Sequence, residues 1–285
     1  MDCQISLGIY EKALRSTDNW DDFFAQVNEG GFSFVDLSVD ETDERRARLE
    51  WSAERRQEVR AAAMRNGVQI GGICLSLHRL VMPGSIDPAI RAEAREVYRK
   101  GIDLCADLGI SLCQIAGYYN YYEDPHDLAR KHYIDLLAEA TQYAAHRGIV
   151  LGIENVDGND INSIPAAREL VDMIGSPWLQ IYPDLGNISE HGGEETAELR
   201  AGEGHMMAIH AKDVLPGQPR RIPLGTGTVD WPAAFAELAR QKWSGRMMLE
   251  MWNDDAPDSV ETCVAARLKL TQWLEEAGFT VLNEA

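Results

Sequence analysis

The sequence is poor in positive charge and has no long apolar run. Its 285 residues include 27 lysines and arginines against 46 aspartates and glutamates, a formal net charge of -19. This imbalance disfavours nucleic acid or an anionic membrane surface as a partner and favours a small molecule or a metal ion. No stretch approaches the roughly 18 apolar residues of a membrane-spanning helix, and the opening MDCQISLGIY lacks a basic segment followed by an apolar one. We therefore expect a cytoplasmic protein without a membrane partner.

Cysteine and nucleotide-binding motifs are also scarce. The five cysteines show no CxxC or zinc-finger spacing, which is typical of reduced core residues in a cytoplasmic protein. The glycine-rich segment LGTGT at 224–228 lacks the GxGxxG pattern and follows no predicted strand. It is interpreted as a tight turn, and no nucleotide cofactor is expected.

Short apolar segments alternate with longer segments of helical period along the whole chain. The predicted strands are residues 5–10, 33–39, 69–76, 112–116, 150–154, 178–183, 206–211 and 247–251. The predicted helices are residues 20–29, 52–66, 87–108, 125–146, 164–174, 194–201, 231–241 and 258–277. No linker-like segment interrupts this order. The pattern favours an α/β protein with a single (β/α)8 TIM barrel domain over residues 1–285, although an open doubly wound sheet also fits it.

Four polar residues end the last four predicted strands. They are Glu154 in LGIEN, Asp184 in QIYPD, His210 in MAIHAKD and Glu250 in MMLEMW, at intervals of 30, 26 and 40 residues. Because the carboxyl ends of barrel strands meet on one face, these side chains should converge there. Three carboxylates and one imidazole suit one divalent metal ion, namely Mn²⁺, Co²⁺, Mg²⁺ or Zn²⁺. A single strand-ending charge is often only solvated, so the prediction depends on all four together.

Further polar residues follow these strands in the C-terminal half. Asn187 lies three residues after Asp184, and Lys212 follows His210 in a segment that reaches Arg220 and Arg221. These side chains could bind a substrate. Lys212 could equally form a surface ion pair with Asp213, and the sequence does not decide which of the two arginines faces the site.

The N-terminal half contributes candidates for binding an anion. Lys12 follows the first predicted strand, and His78 with Arg79 follows the third, so these residues could contact a phosphate or a sugar hydroxyl. A run of tyrosines after the fourth strand could line a sugar pocket or pack against a neighbouring loop or subunit, namely Tyr118, Tyr119, Tyr121 and Tyr122.

Several segments together resemble the L-ribulose 5-phosphate 3-epimerases, which interconvert L-xylulose 5-phosphate and L-ribulose 5-phosphate. The segments are LGIYEKAL, SVDETDERRARLEW, CLSLHR, AGY, YPDLGNIS, GHMMAIHAKD and LEMW, spread over nearly the whole chain. The resemblance implies a xylose isomerase-like TIM barrel that binds one divalent metal through Glu154, Asp184, His210 and Glu250. Asn187 stands where epimerases of unphosphorylated ketoses often have histidine, which favours a sugar phosphate as substrate.

The resemblance also implies a mechanism. Glu154 and Glu250 would remove the proton on C3 and return one to the opposite face, with Arg220 supporting a glutamate or the substrate oxygens. Phosphate would contact Lys12, His78 and Arg79, and the protein would form a homodimer.

Three other functions fit parts of the pattern. The same metal ligands would suit another ketose 3-epimerase, or a sugar or hydroxypyruvate isomerase. An inactive barrel that binds a sugar or a partner would retain them as well. A DNA-repair barrel is disfavoured by the acidic charge and by only seven histidines.

Overall fold

Eight parallel strands form the barrel in a computed structural model that describes residues 3–282. The strands are β1 (Gln4–Tyr10), β2 (Phe34–Val39), β3 (Gln69–Leu75), β4 (Leu112–Ala116), β5 (Val150–Glu154), β6 (Leu179–Tyr182), β7 (Ala208–Ala211) and β8 (Gly245–Leu249). They pair in chain order from β1 to β6, and β8 pairs with both β1 and β7. The predicted TIM barrel is confirmed.

The barrel closes between β6 and β7 through a seam rather than a full ladder. Two isolated bridges cross this seam, Ile181 to Met206 and Asp184 to His210. Backbone hydrogen bonds support them, including His210 N to Pro183 O at 2.8 Å. Two predicted metal ligands therefore lie where the strand pairing is sparsest.

Helices follow the strands and cover the outside of the barrel. Within residues 3–282 they are α1 (Trp20–Glu29), α2 (Asp43–Arg46), α3 (Ala53–Arg65), α4 (Pro88–Leu108), α5 (Ala129–Arg147), α6 (Ile164–Ile174), α7 (Leu185–Glu190), α8 (Glu195–Ala201), α9 (Trp231–Arg240) and α10 (Ser259–Glu276). In this part of the chain no helix is long and apolar enough to cross a membrane.

Local sequence signals explain where most helices begin and end. Ser52 and Asp230 cap α3 and α9, since their side chains accept hydrogen bonds from Arg55 N and Ala233 N. Gly109 and Gly148, just after α4 and α5, adopt left-handed conformations with φ of 76° and 71°. Glycine adopts this conformation without the steric cost that a Cβ brings, so it ends a helix cleanly.

Between residues 3 and 282 the structure adds several short elements to the predicted pattern, among them two α-helices and one strand. Helices α2 and α7 have four and six residues, too few for a helical period to show in the sequence. A ninth strand, β9 (Thr280–Leu282), pairs with the start of β1. Helix α5 begins at Ala129 rather than at the predicted residue 125. The α7 addition matters for function, because this helix begins directly after Asp184.

Candidate metal centre and active site

The four predicted metal ligands converge at the carboxyl end of the barrel. Each offers one ligand atom, and these atoms all lie within 4.8 Å of one another. His210 Nδ1 lies 3.0 Å from Glu154 Oε1, 3.3 Å from Glu250 Oε2 and 3.9 Å from Asp184 Oδ2. The residues come from β5, the end of β6, β7 and the end of β8, so the barrel topology brings them together.

The spacing of these atoms suits one metal ion. An ion about 2.1 Å from four tetrahedral ligands holds those ligands about 3.4 Å apart. The His210 distances of 3.0, 3.3 and 3.9 Å lie on both sides of that value. The mostly oxygen set with one imidazole accepts Mn²⁺, Co²⁺, Mg²⁺ or Zn²⁺ and does not select among them.

Burial makes the centre depend on positive charge. Asp184 has no solvent exposure, and burial raises its pKa well above the ordinary value, although Lys212 acts in the opposite direction. Burial alone would lower the pKa of His210, but Glu250 and Glu154 raise it well above the ordinary value. Several carboxylates in a dry site repel one another, so a cation stabilises them.

Hydrogen bonds fix the ligands from behind. Asp184 caps α7, because its Oδ1 accepts from Asn187 N at 2.9 Å. Asn155 donates to Asp184 O at 3.0 Å and accepts from Asp184 N at 2.8 Å. Gln114 of β4 donates to Glu154 Oε2 at 2.5 Å. Such contacts orient metal-binding side chains before the ion arrives.

Lys212 belongs to this centre and is not a surface residue. It is 5% exposed, and its Nζ lies 2.7 Å from both Asp184 Oδ2 and Asn187 Oδ1. Burial would lower the pKa of Lys212, but Asp184 and Glu250 raise it, so the side chain is an ammonium. Asp213 plays a different part: its Oδ2 accepts from Gly225 N at 2.6 Å and Gly227 N at 3.0 Å. It therefore shapes the loop rather than pairing with Lys212.

A cavity of about 220 Å³ opens directly above the metal centre. Its lining is more polar than apolar and includes cations from three loops, namely Lys12 after β1, Arg79 after β3, and Lys212 and Arg220 after β7. Tyr10, Tyr118 and Trp252 supply aromatic surface. A small polar anion is the kind of ligand that such a lining suits.

Four of the five predicted substrate-binding residues line this cavity, namely Asn187, Arg220, Lys12 and Arg79. His78 does not. It is fully buried, its Nε2 lies 3.3 Å from Ala94 O, and its ring packs 4.0 Å from that of Tyr98. It follows β3 in a short helical turn that directs it toward α4, so its side chain does not reach the cavity. Arg221, 3.6 Å from Asp254, also lies outside the cavity lining.

The cations at the cavity mouth differ in their partners. Lys12 forms an ion pair with Asp40, and Arg220 Nη2 lies 2.7 Å from Asp157 Oδ2. Arg79 donates to the Tyr118 hydroxyl at 3.1 Å and, within residues 3–282, forms no ion pair. Arg79 is thus the mouth cation most available to an incoming anion.

The tyrosine run divides between the two roles left open by the sequence. Tyr118 lines the cavity and donates to Asp157 Oδ1 at 2.5 Å. Tyr119 packs against Tyr133 instead, with ring centroids 4.7 Å apart. Tyr121 and Tyr122 are 41% and 57% exposed.

Several residues of the cavity were not predicted from the sequence, and three of them are Gln114, Asp40 and Trp252. Gln114 is the one strongly polar residue in the strand segment LCQIA, which could have marked it. Asp40 and Trp252 follow β2 and β8 by one and three residues, in the positions where barrel enzymes carry functional side chains.

Comparison with known proteins agrees with this geometry. A sequence model of the xylose isomerase-like TIM barrel family matches residues 24–277. L-ribulose-5-phosphate 3-epimerase UlaE of Shigella boydii is 39% identical over 275 residues, covering 96% of this chain and 97% of that protein. UlaE of Escherichia coli O157:H7 is 38% identical over the same length and the same shares.

Solved structures show the same fold at low sequence identity. An L-ribulose 3-epimerase superposes with a TM-score of 0.79 at 18% identity, covering 95% of each chain. A D-psicose 3-epimerase from Clostridium cellulolyticum H10 gives 0.79 at 17% identity, covering 94% of this chain and 99% of that one. With the near full-length curated relatives, the chain belongs to the L-ribulose-5-phosphate 3-epimerases of the xylose isomerase-like TIM barrel family.

Proposed function

We propose that the protein is a metal-dependent carbohydrate 3-epimerase that converts L-xylulose 5-phosphate to L-ribulose 5-phosphate. This proposal rests on the convergence of Glu154 and Glu250 on one buried cation site beneath a polar cavity with basic side chains at its mouth. The names of the curated relatives support the same reaction.

Epimerisation at C3 requires two acid-base groups. One glutamate takes the C3 proton, the C3–H electron pair forms a C2=C3 double bond, and the carbonyl electrons move to the C2 oxygen. The other glutamate, which carries a proton while the substrate is bound, then gives that proton to the opposite face of C3; the C2=C3 electron pair forms the new C3–H bond, and electrons on the C2 oxygen re-form the carbonyl. A divalent cation, when bound by Glu154, Asp184, His210 and Glu250, supplies Lewis acidity toward the C2 and C3 oxygens.

Glu154 and Glu250 are placed to share this work. They follow strands β5 and β8, which stand three positions apart around the barrel. Gln114 holds one oxygen of Glu154 at 2.5 Å, which fixes the plane of that carboxylate. A fixed carboxylate transfers a proton without first losing orientational freedom.

The substrate phosphate would bind at the mouth of the cavity. Arg79 offers a guanidinium that has no carboxylate partner among the described residues, and Lys12 lies beside the same cavity in a pair with Asp40. Arg220, held by Asp157, would support the substrate oxygens. Guanidinium groups bind phosphate through two parallel hydrogen bonds, which makes Arg79 the main contact.

The test follows the C3 proton. The Mn²⁺-loaded protein is incubated in D2O with L-xylulose 5-phosphate, and proton NMR follows deuterium at C3 and formation of L-ribulose 5-phosphate. Unphosphorylated L-xylulose is the matched substrate and should react more slowly. Deuterium at C1 with formation of an aldose would instead identify an isomerase, and no exchange with metal bound would identify a binding module.

Three further properties belong to this proposal. Residues 1–285 act as a single domain, the protein works in the cytoplasm, and it forms a homodimer. The free state of Cys3, Cys74, Cys105, Cys113 and Cys263 supports a reducing compartment. Exposed Tyr121 and Tyr122 offer aromatic surface to a second copy. Light scattering after size-exclusion chromatography would measure the oligomeric state.

A further inference from the structure

One positive side chain lies inside the metal centre itself. Lys212 Nζ is 2.7 Å from Asp184 Oδ2 and 3.8 Å from Glu250 Oε2, and the residue lines the cavity. Without substrate and with all three carboxyl groups ionised, three carboxylates and one divalent cation leave a single negative charge in a buried site. The ammonium of Lys212 cancels that charge, so the loaded centre is neutral before the substrate enters.

We propose that Lys212 is a catalytic residue whose ammonium neutralises the loaded centre and donates a hydrogen bond to the C2 oxygen as it becomes negative. This inference rests on the proposed epimerisation, because that reaction is what places charge on the C2 oxygen.

The contacts of Lys212 leave one donor for the substrate. An ammonium has three N–H groups. Asp184 Oδ2 and Asn187 Oδ1, both 2.7 Å from Nζ, take two of them. Glu250 Oε2 at 3.8 Å is beyond hydrogen-bonding distance, so the third N–H is available toward the cavity.

The position of the ammonium is fixed from several sides. Asn187, which orients Lys212, also donates to Asp184 Oδ2 at 3.0 Å and to Asn155 O at 2.8 Å. The ammonium also lies 5.8 Å from the centre of the Trp252 ring. A donor held in place before the reaction stabilises developing charge without reorganising, which makes such groups effective in catalysis.

Lys212 moves no proton in this proposal. The C3 proton passes to a glutamate, which becomes neutral, and the C2 oxygen becomes negative. Total charge is unchanged, and the negative charge only shifts from the glutamate to the oxygen. The ammonium keeps its three protons and stabilises the new position of the charge through hydrogen bonding and Coulomb attraction.

The test compares Lys212→Met with the wild type. Calorimetry with Mn²⁺ alone measures affinity and stoichiometry, and C3 exchange in D2O measures turnover. We expect one Mn²⁺ per chain with affinity at least about tenfold higher, because a repelling charge is gone. We expect C3 exchange at saturating substrate to fall about 10²- to 10³-fold, with little change in KM. Lys131→Met, at an exposed ion pair with Asp135, is the control and should change neither.

A second variant separates the effect of the positive charge from that of the hydrogen-bond donor. Lys212→Gln keeps a hydrogen-bond donor without the charge, and we expect its exchange rate to lie between those of the wild type and Lys212→Met.

Three outcomes would overturn the inference. They are an exchange rate in Lys212→Met within about threefold of the active wild type, a loss of stoichiometric Mn²⁺ binding in both variants, which would show a structural role, or weaker Mn²⁺ binding by a folded variant. An inert wild type with Mn²⁺ bound would instead overturn the proposed epimerisation.

Discussion

Two buried clusters of charge lie at the same end of this barrel and are built in opposite ways. In the first, here called the Arg48 cluster, Arg48 donates to both oxygens of Glu11, at 2.5 and 2.7 Å, and to Ser38 O at 2.9 Å. The guanidinium packs against both Trp20 and Trp51, with its carbon 5.3 and 5.6 Å from their ring centres. Opposite charges lie close together in this cluster, and the polar atoms of Arg48 and Glu11 form hydrogen bonds.

The metal centre leaves its charges unbalanced. In the described part of the chain, three carboxylates and one imidazole share a single ammonium, that of Lys212. Gln114 Oε1, buried beside the centre, has no hydrogen-bond partner in the part of the chain that the structure describes. A buried cluster whose charges and polar atoms are all paired stabilises the fold, whereas a cluster with unpaired charges needs a ligand to balance them. The Arg48 cluster therefore has a structural role, and the metal centre has a role in the reaction.

A substitution at the metal centre should lower kcat, and this is the greatest change that we expect. Glu250→Gln should lower kcat for C3 exchange by about 10³-fold or more, because the variant keeps the shape of the side chain but cannot take up a proton. Thermal unfolding should show an intact fold. Glu261→Gln, on the exposed side of α10, is the matched control and should leave kcat unchanged. Nearly full activity of Glu250→Gln would remove Glu250 from the mechanism.

The next effect separates the two clusters by stability. Arg48→Met should lower the free energy of unfolding by about 3 kcal/mol, because the buried Glu11 would lose its two shortest ion-pair contacts and keep only the longer one with Arg45 at 3.3 Å. Urea titration measures this change. Arg46→Met, which breaks an exposed pair with Glu93, should cost less than about 1 kcal/mol. If both variants unfold at the same urea concentration, the Arg48 cluster is not structural.

His78 is a buried titratable group that lies outside both clusters. Burial lowers the pKa of His78 from 6.5 to about 4. The unfolded chain therefore binds a proton more readily than the fold, and stability is lost as pH falls from about 6.5 toward 4. This group should account for about 3 kcal/mol.

Urea titrations at several pH values test this expectation. In His78→Phe, the loss of stability between pH 7 and 4 should shrink by about that amount. An unchanged pH profile would show that His78 does not titrate in this window.

The smallest expected effect concerns the cavity mouth. Arg79→Met should raise KM for the phosphorylated sugar by about 10- to 100-fold, since a hydrogen-bonded charge pair with phosphate is lost. KM for the unphosphorylated sugar should change little. Initial-rate kinetics with both sugars measure the difference, and Arg95→Met at the exposed pair with Glu139 serves as the control. Equal changes for both sugars would place the phosphate elsewhere.

The sequence predicted the barrel and the metal ligands because both depend on local patterns. Alternating apolar and helical segments indicate βα units, and each ligand ends its own strand. Closing the sheet into a barrel then brings the ends of β5 to β8 close together. His78 and Lys212 show the limit of this reasoning. Both follow strands, yet one turns toward α4 and the other into the cavity.

The rest of the site could not be predicted because its partners are distant in sequence. Arg48 and Glu11 are 37 residues apart, and Gln114 and Glu154 are 40 residues apart. The pairing of such groups depends on rotamers and loop paths that no period in the sequence encodes. The same holds for Asp213, whose contacts with the backbone of residues 225 and 227 appear only in three dimensions.

The seam between β6 and β7 gives the metal a mechanical task as well as a chemical one. Asp184 and His210 face each other across it, joined by one isolated bridge. An ion bound to both side chains would hold β6 and β7 together where their strand pairing is sparsest. Loading the metal should therefore slow hydrogen exchange of the His210 amide, which bonds to Pro183 O across the seam. Metal binding would then close the barrel and complete the catalytic site at the same time.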